Sequence, residues 1–190
     1  MYVGPLDSPG IANRLLYEAF CIARDDAMCG ECATIEVELE AGGRATVVDD
    51  GPGLSVAVNS HGISEAEALM TQLYSCRHAK RHAERADALC DLGVTALNAL
   101  CSTLELTVWR DGFEWHQTYA AGVPTSTFDR RAATVRHGTR MKLALDRTIL
   151  GPVEFATDML VEWARANAET LKFVVLDRRT GERVEVRVEA

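Results

Sequence analysis

At 190 residues the chain has the length of one domain. Its 47% hydrophobic and 25% charged content is that of an ordinary globular protein, and no run approaches the roughly 18 apolar residues a membrane helix needs. The formal charge of −8 argues against direct nucleic-acid binding, because an acidic surface repels phosphate backbones.

Met1-Tyr2-Val3-Gly4-Pro5 lacks the charged and apolar regions of a signal peptide, so a cytoplasmic location without membrane attachment is expected. Ser8-Pro9 reads as a helix start, and Ile11, Leu15, Ala19 and Ile22 follow at helical spacing until Gly30 closes the helix. From Ala33 to Glu40, Ile35, Val37 and Leu39 alternate with glutamates, predicting a half-buried strand. Ala41-Gly42-Gly43 turns the chain, and Arg44 to Asp49 returns as a second strand. Asp49 to Ser60 reads as loop.

Ser64 and Glu67 have capping-box spacing ahead of a helix carrying Ala68, Leu69, Leu73 and Tyr74. The basic stretch Arg77 to His82, with Arg85, fits a solvated face or a contact with ligand phosphates. A second apolar helix is predicted from Ala88 to Cys101. Strands Leu104 to Trp109 and Phe113 to Tyr119 flank an Asp111-Gly112 turn, and Thr139 to Leu145 alternates again. Val153 to Ala166 reads as helix, and Leu171 to Leu176 with Arg183 to Val188 as a hairpin. Hairpin-linked strands with grouped helices predict an α+β two-layer sandwich: a mixed, mostly antiparallel sheet covered on one face.

Six cysteines occur, and free buried thiols are expected. Cys29-Gly30-Glu31-Cys32 has CxxC spacing, but no second pair at that spacing completes a zinc site. A helix precedes it and a strand follows, the reverse of a redox motif. Asp49-Asp50-Gly51-Pro52-Gly53 places a carboxylate at a strand end, then two glycines that admit a flat ligand closely. A tight turn with a capping Asp has the same pattern.

The loop has company. Leu15-Leu16-Tyr17-Glu18 puts a carboxylate on the first helix, Gly93 to Leu100 opens a helix with a glycine, and His137-Gly138-Thr139 leads into a strand. In this order the set resembles the ATP-binding domain of gyrase B and topoisomerase IV, of the GHKL ATPase superfamily. Met1-Tyr2-Val3-Gly4, Glu65 to Thr71, Asn98-Ala99-Leu100 and Trp109-Arg110-Asp111-Gly112 extend the resemblance over the whole chain. It implies one domain over residues 1–190 with the Bergerat fold, lacking the family's transducer and N-terminal arm.

The resemblance implies roles. Glu18 matches the general base that activates the attacking water. Asp49 matches the carboxylate that accepts from the adenine amino group, Gly51 and Gly53 border the adenine, and Thr139 helps fix it through a water. Gly93 matches the last glycine of the phosphate-covering lid, where helix N-terminal amides favour anions.

The departures concern the phosphate half. Ile22 stands where the family has the magnesium-binding Asn, and Ile offers no oxygen ligand. It is read as a core residue, and Asp25 and Asp26, one turn on, are not expected to replace the Asn. Ala88 to Gly93 has lost two lid glycines and gained Asp91, and Pro52 replaces an arginine. The expectation is therefore an adenine nucleotide site, ATP or ADP, with no protein metal ligand and weak or absent hydrolysis. The alternative is a non-enzymatic module that contacts a gyrase-like or other protein.

Overall fold

The computed structural model describes residues 10–73, 93–167 and 171–187. Helix α1 (Ile11–Met28) buries Leu15, Leu16, Ala19 and Phe20, and Gly30 leaves it at φ 74°. Strands β1 (Thr34–Glu40) and β2 (Arg44–Asp49) form the expected hairpin, with Ile35, Val37 and Leu39 buried. Helix α2 (Glu65–Thr71) starts at Ser64, whose hydroxyl accepts from the Glu67 N–H at 3.0 Å. It stops at Thr71, so Leu73 lies beyond the helix and is exposed; Tyr74 is outside the described residues.

Helix α3 (Val94–Ala99) is shorter than the predicted one, because Cys101 already belongs to β3 (Cys101–Arg110). Asp111 and Gly112, both at positive φ, turn β3 into β4 (Phe113–Ala120). Two strands not expected from the sequence follow, β5 (Val123–Pro124) and β6 (Asp129–Ala133). Then come β7 (Gly138–Leu145), the short α4 (Arg147–Leu150) and α5 (Thr157–Asn167). Helix α5 begins four residues later than predicted, and Val153 to Ala156 precede it. The hairpin of β8 (Lys172–Asp177) and β9 (Glu182–Arg187) closes the chain.

The sheet order is β5-β4-β3-β7-β2-β1-β8-β9, with β6 also on β4. Every pairing is antiparallel except β1 with β8. This is the expected open α+β sandwich. One continuous core joins Leu15, Phe20, Leu69 and Leu160 of the helices to Val37, Leu106, Met141 and Phe173 of the sheet. Phe20 packs on Trp163 of α5 and edge-on against Phe173 of β8, tying the first helix to the last hairpin.

Cys32 and Cys101 are free buried thiols, as expected; Cys29 is free but exposed, and Cys21 departs from the expectation and is disulfide-bonded. Cys76 and Cys90 lie outside the described residues, as do Met1 to Gly4, the basic stretch and Ala88 to Leu92. Among the described residues, no cluster of three or more His, Cys, Asp or Glu side chains is arranged to hold a metal ion, and no helix is long and apolar enough to cross a membrane.

Candidate functional site

Strand β2 lies between β1 and β7 and ends at Asp49, so its last side chain meets the start of β7. Asp49 Oδ1 accepts from the Gly51 N–H at 2.9 Å and the Thr139 N–H at 3.2 Å. Thr139 Oγ1 in turn accepts from the Leu54 N–H at 3.3 Å. His137 Nδ1 lies 2.9 Å from the Gly51 carbonyl, which can only accept, so Nδ1 carries the proton. Arg110, at the end of β3, donates to the Gly53 carbonyl. The loop Asp50 to Leu54 is thus tied at several points to β3, β7 and its own strand.

Gly53 is at φ 78°, and a Cβ there would lie 2.9 Å from the Trp109 carbonyl oxygen and 3.0 Å from that of Gly138. No larger residue fits without moving backbone. At Gly51 a Cβ would come within 3.1 Å of Asp49 Oδ1 and 3.3 Å of Asp26 Oδ2, so the two carboxylates converge on this glycine.

Beside the loop lies a cavity of about 760 Å³, a size that suits a small ligand or cofactor. Its walls come from Ile22 and Asp26 of α1, Pro52 to Ser55 of the loop, α2 and Arg110. Of the residues expected from sequence, Gly53 lines it directly. Asp49, Gly51 and Thr139 form the hydrogen-bonded layer beneath the loop.

Glu18 and Gly93 meet each other. Glu18 is 3% exposed, and its Oε2 accepts from the Gly93 N–H at 2.9 Å. The amide expected to face phosphate is therefore held by the carboxylate expected to act as base. Ile22 packs against the core's edge and lines the cavity, so it is a wall residue rather than a fully buried one. Asp25, 2% exposed, is buried, whereas Asp26 lines the cavity. Asp26 lies four residues after Ile22, and that spacing marks them as neighbours on one helix face. The sequence marked Arg110 only as part of the Trp109-Arg110-Asp111-Gly112 segment, without a role at the site.

Burial dominates the electrostatics. It pushes the Asp49 carboxyl up to about 7, helped by the negative Asp26 and Asp50 and opposed by the Gly51 and Thr139 N–H groups. Burial also raises Asp50, but N–H donors from Thr34 and Ala33, each at 2.8 Å, more than offset it and hold Asp50 below its usual range. Cys32 gives its thiol hydrogen to Asp50 at 3.4 Å; burial and the Asp49 charge push the thiol up, so it stays protonated and unreactive.

No protein-family model matches the chain. Among curated proteins it is 32% identical over 182 residues to the B subunit of DNA gyrase from Treponema pallidum, covering 94% of this chain and 28% of that protein. The corresponding protein of Borrelia hermsii is 32% identical over 95% of this chain and 29% of its own length. The B subunit of DNA topoisomerase 4 from Caulobacter vibrioides is 33% identical over 88% of this chain and 25% of its own length. The chain thus spans about a quarter to three-tenths of these relatives. Over that stretch it is a divergent relative of the gyrase and topoisomerase IV B subunits.

Proposed function

We propose that the chain binds an adenine nucleotide, ATP or ADP, in the cavity beside the Asp49 to Gly53 loop, and hydrolyses it slowly or not at all. The supporting observation is the Asp49 carboxylate. Its Oδ1 is taken by two backbone N–H groups, which leaves Oδ2 to accept from an exocyclic amino group. Gly53 keeps the loop close to its neighbours, and Thr139 and His137 hold it in place.

In this reading the phosphate half offers magnesium no ligand at position 22. Ile22 presents carbon to the cavity where an oxygen ligand is needed, and the neighbouring lining acids are Asp26, Glu31 and Glu65. Positioning and charge neutralisation dominate phosphoryl transfer, so turnover at the level of background is expected.

Isothermal titration of the chain with adenosine, ADP and ATP tests the site. Asp49→Asn keeps the shape but turns part of the acceptor into a donor, and should cost about 1–3 kcal/mol of affinity for all three. Equal affinity in wild type and variant would remove the assignment. The second reading, a protein-binding module, is favoured by the Glu18–Gly93 contact, which occupies both groups a hydrolysing site would use. No stabilisation by any adenine compound in a thermal-shift titration would select it.

A further inference from the structure

Cations are treated differently in two parts of the sheet. Towards β1, β8 and β9, Arg44, Lys172, Arg178, Arg179, Arg183 and Arg187 are all in ion pairs at 2.7–3.4 Å. On β6, in the turn after it and on the central strand β7, Arg130, Arg131, Arg136 and Arg140 form no ion pair among the described residues.

Aromatic faces hold several of them instead. The Arg136 guanidinium lies 3.9 Å from the centre of the Trp109 ring, and that of Arg140 lies 5.7 Å from the same ring. Arg140 also donates to Thr107 Oγ1 at 3.1 Å, and Arg130 sits 4.5 Å over Phe113. Stacking fixes a guanidinium plane while leaving N–H edges free for a carboxylate. Arg131 and Arg140 act on a common neighbour: after burial, they are what lowers His116, against the opposing Glu105 and Glu114.

Strand β6 runs through this cluster. Among the described residues it pairs only with β4, is exposed at every position, and leaves an edge of backbone donors and acceptors. Just after it, Val135 is fully exposed, at 101%. Charges on an edge strand deter self-pairing, which accounts for Arg130 and Arg131. That role requires neither an exposed valine nor arginines stacked on Trp109.

We propose that the β6 edge is a docking site for an extended acidic peptide segment of a partner protein, added as a further strand. Backbone bonds along Asp129–Ala133 supply affinity, the unpaired arginines select acidic side chains, and Val135 takes an apolar one. A short peptide suits the charge balance better than nucleic acid. Duplex DNA presents a charge about every 1.7 Å along its axis and would meet the repulsion of the whole molecule, at −8.

Fluorescence anisotropy of the full chain with a labelled peptide alternating glutamate and valine tests this. The comparisons are its lysine counterpart, its backbone-N-methylated form and a DNA duplex. The acidic peptide should bind, slow amide hydrogen exchange within residues 129–133, and lose about tenfold in affinity with R131E/R136E. The lysine and N-methylated peptides should bind weakly or not at all. Arg131 and Arg136 are exposed, so the variant's unchanged melting curve verifies its fold. The proposal is overturned if the acidic peptide does not bind, binds without protecting β6, or is indifferent to the two substitutions. Duplex DNA binding that falls with R131E/R136E while the acidic peptide fails would assign the patch to nucleic acid instead.

Discussion

Asp49 shows how one residue's surroundings set both stability and binding. Its carboxyl stands near 7 in the folded chain against 3.8 for the ordinary group. Asp26, Asp50 and the Cys32 thiol lie near it, and no cation among the described residues bonds to it. The folded state thus binds more protons than the unfolded one between about pH 4 and 7. Stability from this group is complete below the unfolded value and declines as pH rises through that window, by at most a few kcal/mol. Denaturant titrations from pH 5 to 8 should show wild type losing stability relative to Asp49→Asn. Adenosine affinity should move the other way, rising through pH 7 as the acceptor ionises. A flat difference between the two proteins would mean that Asp49 is ionised throughout.

Elements were legible in the sequence where side chains repeat with the period of the backbone. The β1–β2 and β3–β4 hairpins and the Ser64 cap are written locally, in Ile35-Val37-Leu39, Asp111-Gly112 and the Ser64–Glu67 spacing. The fold class followed from them. Strand β6 was not legible, because Asp-Arg-Arg-Ala-Ala exposes every residue and has no buried face to alternate. The start of α5 is decided at long range. Asn13, fully buried on α1, donates to the Ala156 carbonyl at 2.8 Å and accepts from its N–H at 2.9 Å, which holds Ala156 outside the helix. Asn13→Ala leaves the Ala156 N–H without its partner and its carbonyl with only the Leu160 N–H, at 3.3 Å, and should cost about 1–3 kcal/mol in denaturant unfolding. A loss below about half a kcal/mol would show that water replaces both bonds. The loop makes a similar demand at Gly53, where Gly53→Ala should cost about 1–3 kcal/mol for the positive φ alone, measured the same way.

At the scale of the molecule, the question is how one helix would serve both halves of the proposed nucleotide site. Glu18, Ile22 and Asp26 recur every four residues along α1, so they share a stripe that runs from the Gly93 contact to the cavity wall. The Asp26 end of that stripe meets Asp49 and Gly51, while the middle is apolar. The whole chain is also acidic, which disfavours each added phosphate unless a cation compensates. ADP should therefore bind about as well as ATP, with magnesium making little difference. The decisive variant is Ile22→Asn, which places an oxygen between Glu18 and Asp26. Ile22 is only partly buried, so the substitution should cost about 1 kcal/mol rather than the several lost in a core. If this position governs the metal, titration calorimetry should show ATP affinity becoming magnesium-dependent in Ile22→Asn and remaining indifferent to magnesium in wild type. Adenosine affinity should be equal in both proteins, since its contacts lie at Asp49. Strong magnesium dependence in wild type, unchanged by Ile22→Asn, would show that the metal is held elsewhere, with Asp26 the first residue to replace.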